Sequence, residues 1–117
     1  MREILFRGKA STTKEHKWIY GNLIKTKYGY KIINDNYSKF VFDYSIGQYT
    51  GFKDESENKL FEGDIVYIDS EEEEFVIKWD EKTARFVISG DGVVYDFDNF
   101  YGYELRLIGN IHDRREQ

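Results

Sequence analysis

The stretch Ile46–Ile68, IGQYTGFKDESENKLFEGDIVYI, decides how the rest of the chain is read. Gly47 and Gly51 bracket Gln48-Tyr49-Thr50, a charged run follows from Lys53 to Lys59, and apolar text returns abruptly after Glu62-Gly63-Asp64. Hydrophobic segments on either side of a polar, glycine-marked run are how one β unit ends and the next begins. Residues 46–63 are therefore expected to form a hinge within a single domain, 1–117. An N-terminal β subdomain, about 1–45, precedes it, and a C-terminal unit, 64–112, follows. The charged residues 113–117 are expected to fray.

Downstream of the hinge, strand-sized runs recur with turn signals between them. Asp64 to Ile68 is an apolar run, and Phe75-Val76-Ile77-Lys78-Trp79 alternates so that Phe75, Ile77 and Trp79 share a face. Arg85 to Ile88 and Val93 to Phe97 read as a hairpin about Gly90-Asp91-Gly92. Residues 98–102 read as a loop or one helical turn, and 103–112 as a last strand. Upstream, residues 2–7 read as a first strand, 8–17 as a polar hairpin connection, and Trp18 to Ile24 as a strand whose interior Gly21 marks a bulge or a close backbone approach. From Ile24, Thr26, Tyr28, Tyr30 and Ile32 alternate with Lys25, Lys27, Gly29 and Lys31, which reads as a half-buried strand or a hairpin around Gly29. Asn34-Asp35-Asn36 is a turn and Lys39 to Tyr44 another strand.

No segment carries a helical stripe. Aromatic residues make up 18% of the chain, which suits pleated, half-buried surfaces. Proline is absent, so turns must rest on Gly, Asn and Asp. The expected fold class is all-β: an N-terminal β subdomain plus a small five-stranded C-terminal barrel of the Src-homology-3-like kind, sharing a core.

Composition also bounds function. Cysteine is absent, so disulfides, thiolate metal sites and cysteine nucleophiles are excluded, and a reducing cytoplasm fits. No apolar run approaches the roughly 18 residues of a membrane span, and MREILFRGK is not a signal peptide. The cytoplasm is the expected location, with no membrane partner. The net charge of −5 is unevenly spread. Residues 1–59 carry eleven basic and seven acidic side chains, and residues 60–117 carry six and fifteen. A solvated surface is one reading of that split; a bipolar molecule that packs head to tail with its own copies is the other.

Several blocks resemble the YopX-like family of phage and prophage proteins. They are the opening Met1-Arg2-Glu3-Ile4-Leu5-Phe6-Arg7, then Trp18-Ile19-Tyr20-Gly21-Asn22-Leu23, and Ile46 to Asp54 followed by Lys59 to Val66. Val76 to Asp80 and Leu107 to Ile111 complete the set, which spans nearly the whole chain. The resemblance implies a β-rich fold and a phage or prophage origin, and it implies no activity.

The residues themselves assemble no catalytic, cofactor or metal site. There is no serine in a G-x-S-x-G setting, and His16 and His112 are isolated bases. Asp54, Glu55, Glu57 and Asn58 lack the glycine and terminal glutamate of a calcium loop and read as a solvated loop. Gln48, Tyr49, Thr50 and Asp64 are the candidate hinge or interaction residues, with a structural role favoured. Nucleic-acid binding would fall to Lys25, Lys27 and Lys31, because lysines neutralise phosphates and exposed aromatics stack on bases. Against it stand the acidic whole and an alternation that sends the tyrosines to the face opposite the lysines. The leading expectation is a non-enzymatic accessory protein working by protein–protein contact, self-assembling as a homo-oligomer or engaging a host or phage protein. Nucleic-acid binding, or an acidic surface mimicking DNA, is the alternative.

Overall fold

The computed structural model describes residues 3–97, 100 and 104–113, and more than half of these lie in β-strands. The strands are β1 Phe6–Lys9, β2 Trp18–Thr26, β3 Gly29–Ile33, β4 Ser38–Phe40, β5 Gly47–Lys53, β6 Lys59–Phe61, β7 Asp64–Ile68, β8 Glu73–Asp80, β9 Arg85–Gly90, β10 Val93–Asp96 and β11 Leu105–Asn110. One 3-10 turn, Asp43–Ser45, stands between β4 and β5. The strands form a six-stranded sheet in the order β4-β3-β2-β1-β5-β6 and a five-stranded sheet in the order β10-β9-β8-β7-β11. No helix among the described residues is long and apolar enough to cross a membrane. The chain divides into two compact units, 1–49 and 50–117, with the boundary inside β5.

In the first unit, β2 and β3 form a hairpin whose two-residue turn is Lys27-Tyr28, with Thr26 opposite Gly29. The Thr26 hydroxyl fastens it, donating to the Gly29 carbonyl at 2.8 Å and accepting from the Tyr28 N–H at 3.1 Å. Ala10, Ile19, Ile32 and Val41 form the core of this unit, with Phe6, Leu23, Tyr30, Tyr37 and Ile46 packed around them. Of the two readings of Gly21, bulge or close approach, the structure shows the close approach: a Cβ there would lie 2.4 Å from the carbonyl oxygen of Ile33. The strand expected from Lys39 to Tyr44 is shorter. Regular pairing stops at Phe40, a single bridge joins Val41 to Ala10, and the chain then turns through Asp43–Ser45. The buried Ser45 hydroxyl holds that turn, donating to the Phe42 carbonyl at 2.7 Å and accepting from the Lys9 N–H at 2.8 Å.

In the second unit, the alternation read from the sequence builds one apolar face. Val66 and Ile68 of β7, Phe75 and Ile77 of β8, Phe86 and Ile88 of β9 and Leu105 of β11 are buried together, joined by Leu60 and Phe97. Trp79 shares that face but stands at the end of the strand, 43% exposed, edge-on to Phe86 at 4.9 Å. The five strands do not close into the expected barrel: among the described residues β10 and β11 lie at opposite edges of the sheet. The outer edge of β11 is taken by a loop instead. The Leu105 carbonyl accepts from the Glu55 N–H at 3.0 Å, and the Leu107 N–H donates to the Asp54 carboxylate at 2.9 Å. The loop expected at 98–102, the start of the last strand and the tail from residue 114 lie outside the described residues.

Gly21→Ala is expected to force β2 and β3 apart at Ile33 and to cost about 1–3 kcal/mol, as overpacking does. Urea unfolding checks this: the midpoint falls while the slope stays unchanged.

Candidate functional site

The hinge residues are structural in their surroundings. Gln48 is half-buried opposite Phe6 on β1, and Tyr49 is buried with its N–H on the Leu5 carbonyl at 2.8 Å. The buried Thr50 hydroxyl donates to the Leu60 carbonyl at 2.8 Å and accepts from the Phe52 N–H at 3.1 Å. Asp64 is buried, and its Oδ2 accepts from the Phe61 N–H at 2.7 Å across a turn that Gly63 makes at φ 93°. A structural role was the favoured reading at 48–50, and of these three side chains the Thr50 hydroxyl is the one with strand-fastening bonds described.

Asp54, read from the sequence as part of a solvated loop, is only 6% exposed. The reason is its hydrogen bonding. Its Oδ1 accepts from the N–H groups of Ser56 at 3.0 Å and Asn58 at 2.8 Å. Its Oδ2 accepts from the Asn58 side-chain amide at 3.1 Å and the Leu107 N–H at 2.9 Å. Burial pushes this carboxyl up, but the Leu107, Asn58 and Ser56 donors outweigh it and hold the pKa below its ordinary value of 3.8. Such a carboxylate is a structural tie, with its acceptor sites already filled.

The lysines named from the sequence do not form one row. Lys25 lies opposite Tyr30, and its neighbour Ile24 lies opposite Lys31, so Lys25 and Lys31 occupy opposite faces of the hairpin. Lys27 sits in the turn, with Nζ 5.1 Å from the centre of the Tyr28 ring. The turn resets the alternation, and lysines and aromatics therefore meet across the strands: Lys25 is 5.8 Å from the Tyr30 ring and Lys31 is 4.9 Å from the Phe40 ring.

A different set of cations converges in the same unit. The 11–17 connection is held by Ala10 N–H on the Lys17 carbonyl at 3.0 Å and Ser11 N–H on the Phe40 carbonyl at 2.9 Å. The His16 ring nitrogen Nδ1 lies 2.9 Å from the Ala10 carbonyl, and its ring meets Phe42 edge-on at 5.0 Å. His16 thereby anchors the loop. The loop walls a cavity of about 440 Å³ that Lys14, Lys17 and Lys39 line together with Glu15, Trp18 and Tyr37. Glu15 is ion-paired to Lys17 at 3.0 Å. Arg7 lies 4.5 Å and Lys9 5.7 Å from the Trp18 ring, and Lys39 lies 5.7 Å from the Tyr37 ring. Such an arrangement can neutralise an anion and pack a flat group.

The family model for the YopX protein matches residues 5–116. The chain belongs to the YopX family. A comparison with curated proteins found no match. In this YopX-family chain the blocks that carried the resemblance coincide with β2, β5 to β8 and β11. The cavity lysines were missed because Lys14 and Lys17 fall in a connection that looked merely polar. The available signal was the spacing of Lys17-Trp18 and Tyr37-x-Lys39, which repeats a cation beside an aromatic at two strand ends. His112 contributes its N–H to the Asn110 side chain at 2.9 Å. Among the described residues, no group of three or more His, Asp or Glu is placed to hold a metal ion.

Asp54→Asn is expected to cost about 1–3 kcal/mol at neutral pH, because the amide presents donors to N–H groups that need acceptors. The folded pKa is depressed, so the stabilisation is present above the ordinary value of 3.8 and is lost as pH falls through the lower folded value. Urea unfolding across acidic pH should show the gap between wild type and variant narrowing as pH falls below 3.8. A gap independent of pH would assign the cost to something other than the charge.

Proposed function

We propose that this protein works by contact rather than catalysis, as an accessory protein of a phage or prophage in the cytoplasm of its bacterial host, and that it assembles with its own copies. The observation that carries this reading is how charge follows the structural division. Residues 1–49 carry nine basic and four acidic side chains, and residues 50–117 carry eight and eighteen. The boundary inside β5 sharpens the asymmetry that the sequence alone suggested.

The acidic unit concentrates exposed charge between and beside two strands, with Asp69, Glu71 and Glu72 in the turn from β7 to β8 and Glu74 at the start of β8. A basic surface on one unit and an acidic turn on the other make unlike, complementary patches. Copies joined through unlike patches contact head to tail, and such contacts continue from one copy to the next. Among the described residues β10 is an edge strand, and it adds a second means of association, since Val93 and Val94 are exposed, Val94 by 62%. An edge strand with exposed valines is a template for pairing with another chain. In strand number, we also read the five-stranded sheet as an open relative of the Src-homology-3-like barrel.

Light scattering from micromolar to millimolar protein tests the assembly. Oligomers are expected that shrink between about 0.1 M and about 1 M salt, where the Debye length falls from about 10 Å to about 3 Å. Glu71→Gln with Glu72→Gln is expected to weaken the low-salt association. A monomer at every concentration and salt overturns the reading.

A further inference from the structure

We infer that the lysine-lined cavity of the first unit is a nucleotide-binding cleft, with phosphate held by Lys14, Lys17 and Lys39 and the base packed beside Trp18 and Tyr37. Three observations combine. The lining sets three lysines against one carboxylate, Glu15, which pairs with Lys17 at 3.0 Å and leaves an excess of two positive charges. The lysines come from two separate segments, the 11–17 connection and β4, so their charge converges on a concave surface rather than spreading along a strand. The aromatic walls are positioned in advance. Trp18 is fixed on β2 under the Arg7 guanidinium, and Tyr37 is packed on the core cluster.

The volume of about 440 Å³ falls within the roughly 300–1,000 Å³ of small-ligand clefts. Inorganic phosphate would engage the lysines and leave the aromatic walls unused, and so would the carboxylates of an acidic peptide. A duplex keeps its bases stacked inside and offers the walls nothing. An unstacked nucleotide uses both features, since every base has a π-face and every phosphate a charge. Free nucleotides and single-stranded nucleic acid share this chemistry.

The test uses the full chain with Trp79→Phe, which leaves Trp18 as the one indole of the two in the sequence. Quenching of Trp18 is followed on adding adenosine monophosphate, or a single-stranded thymidine oligonucleotide of about twelve residues, at low salt. Both should quench, while inorganic phosphate and a glutamate-rich peptide of similar length should not. An oligonucleotide at least about tenfold tighter than the mononucleotide identifies the single strand as the source, and equal affinity identifies the free nucleotide. The variant Lys14→Gln/Lys17→Gln/Lys39→Gln should bind roughly tenfold or more weakly. The matched variant Lys25→Gln/Lys27→Gln/Lys31→Gln, which removes the same charge from the same unit, should change affinity less than about threefold. Equal losses in the two variants overturn the cleft in favour of diffuse charge, and so does a glutamate-rich peptide that binds as tightly. No quenching by either nucleotide ligand overturns it without recourse to the lysine variants, whose folding is checked by circular dichroism.

Discussion

The Asp54 carboxylate joins two parts of the second unit that lie 53 residues apart in sequence, and the edge of the five-stranded sheet depends on it. Without this carboxylate, the Leu107 N–H would lose its acceptor at the outer edge of β11. The same carboxylate organises that loop by accepting from Ser56 and Asn58. One buried charge thus satisfies a turn and a strand edge together, which makes its burial favourable despite the desolvation it incurs.

Asp54 is one instance of a wider device. The chain has no proline, and polar side chains bonded to their own neighbouring backbone shape its turns instead. Asn34 accepts from the N–H groups of Asn36 and Tyr37, Asp80 from Lys82 and the Thr83 hydroxyl, and Asn110 from His112 and Asp113. Asp64 does the same for Phe61 before β7. These bonds take up the acidic and amide side chains that a search for chemistry would single out first. The most conspicuous carboxylates of the hinge are, for that reason, fold-making residues.

What the sequence showed follows from where the physics is local. A continuous apolar run located β7, and period-two alternation located β8 and the shared face of Phe75 and Ile77, because side-chain direction along a strand is set by neighbours alone. Gly21 was legible as a bulge or a close approach from its place inside a strand, and the Ile33 carbonyl decides for the second. The parity of the lysines was not legible beyond Thr26. It depends on whether a turn of two residues intervenes, and Lys27-Tyr28 carries no asparagine–glycine signal to announce one. The burial of Asp54 was hidden for a different reason. Its deciding partner, Leu107, is supplied by the far end of the chain, and nothing near Asp54 in sequence marks it. The open edge between β10 and β11 has the same origin, since a loop 50 residues upstream competes for the backbone that a closed barrel would use.

Overall acidity, a pI near 5.1, weighs against anion binding only if the field at a site reflects the whole molecule. In water at physiological salt, exposed charges farther apart than about 8 Å are largely screened from one another. The potential inside a cleft is then set by the side chains that line it, and a low-dielectric wall of tryptophan and tyrosine concentrates that potential rather than diluting it. Lys14, Lys17 and Lys39 belong to a unit that is itself basic, and Glu15, the carboxylate in the lining, pairs with Lys17 and leaves two positive charges in excess. The hairpin turn matters here as well. It places lysines beside aromatic rings instead of behind them, so the cations of this unit rest on surfaces that accept flat ligands. A net charge of −5 therefore describes how the molecule behaves in bulk solution, and the local arrangement of three lysines and two rings describes what one face of it can hold.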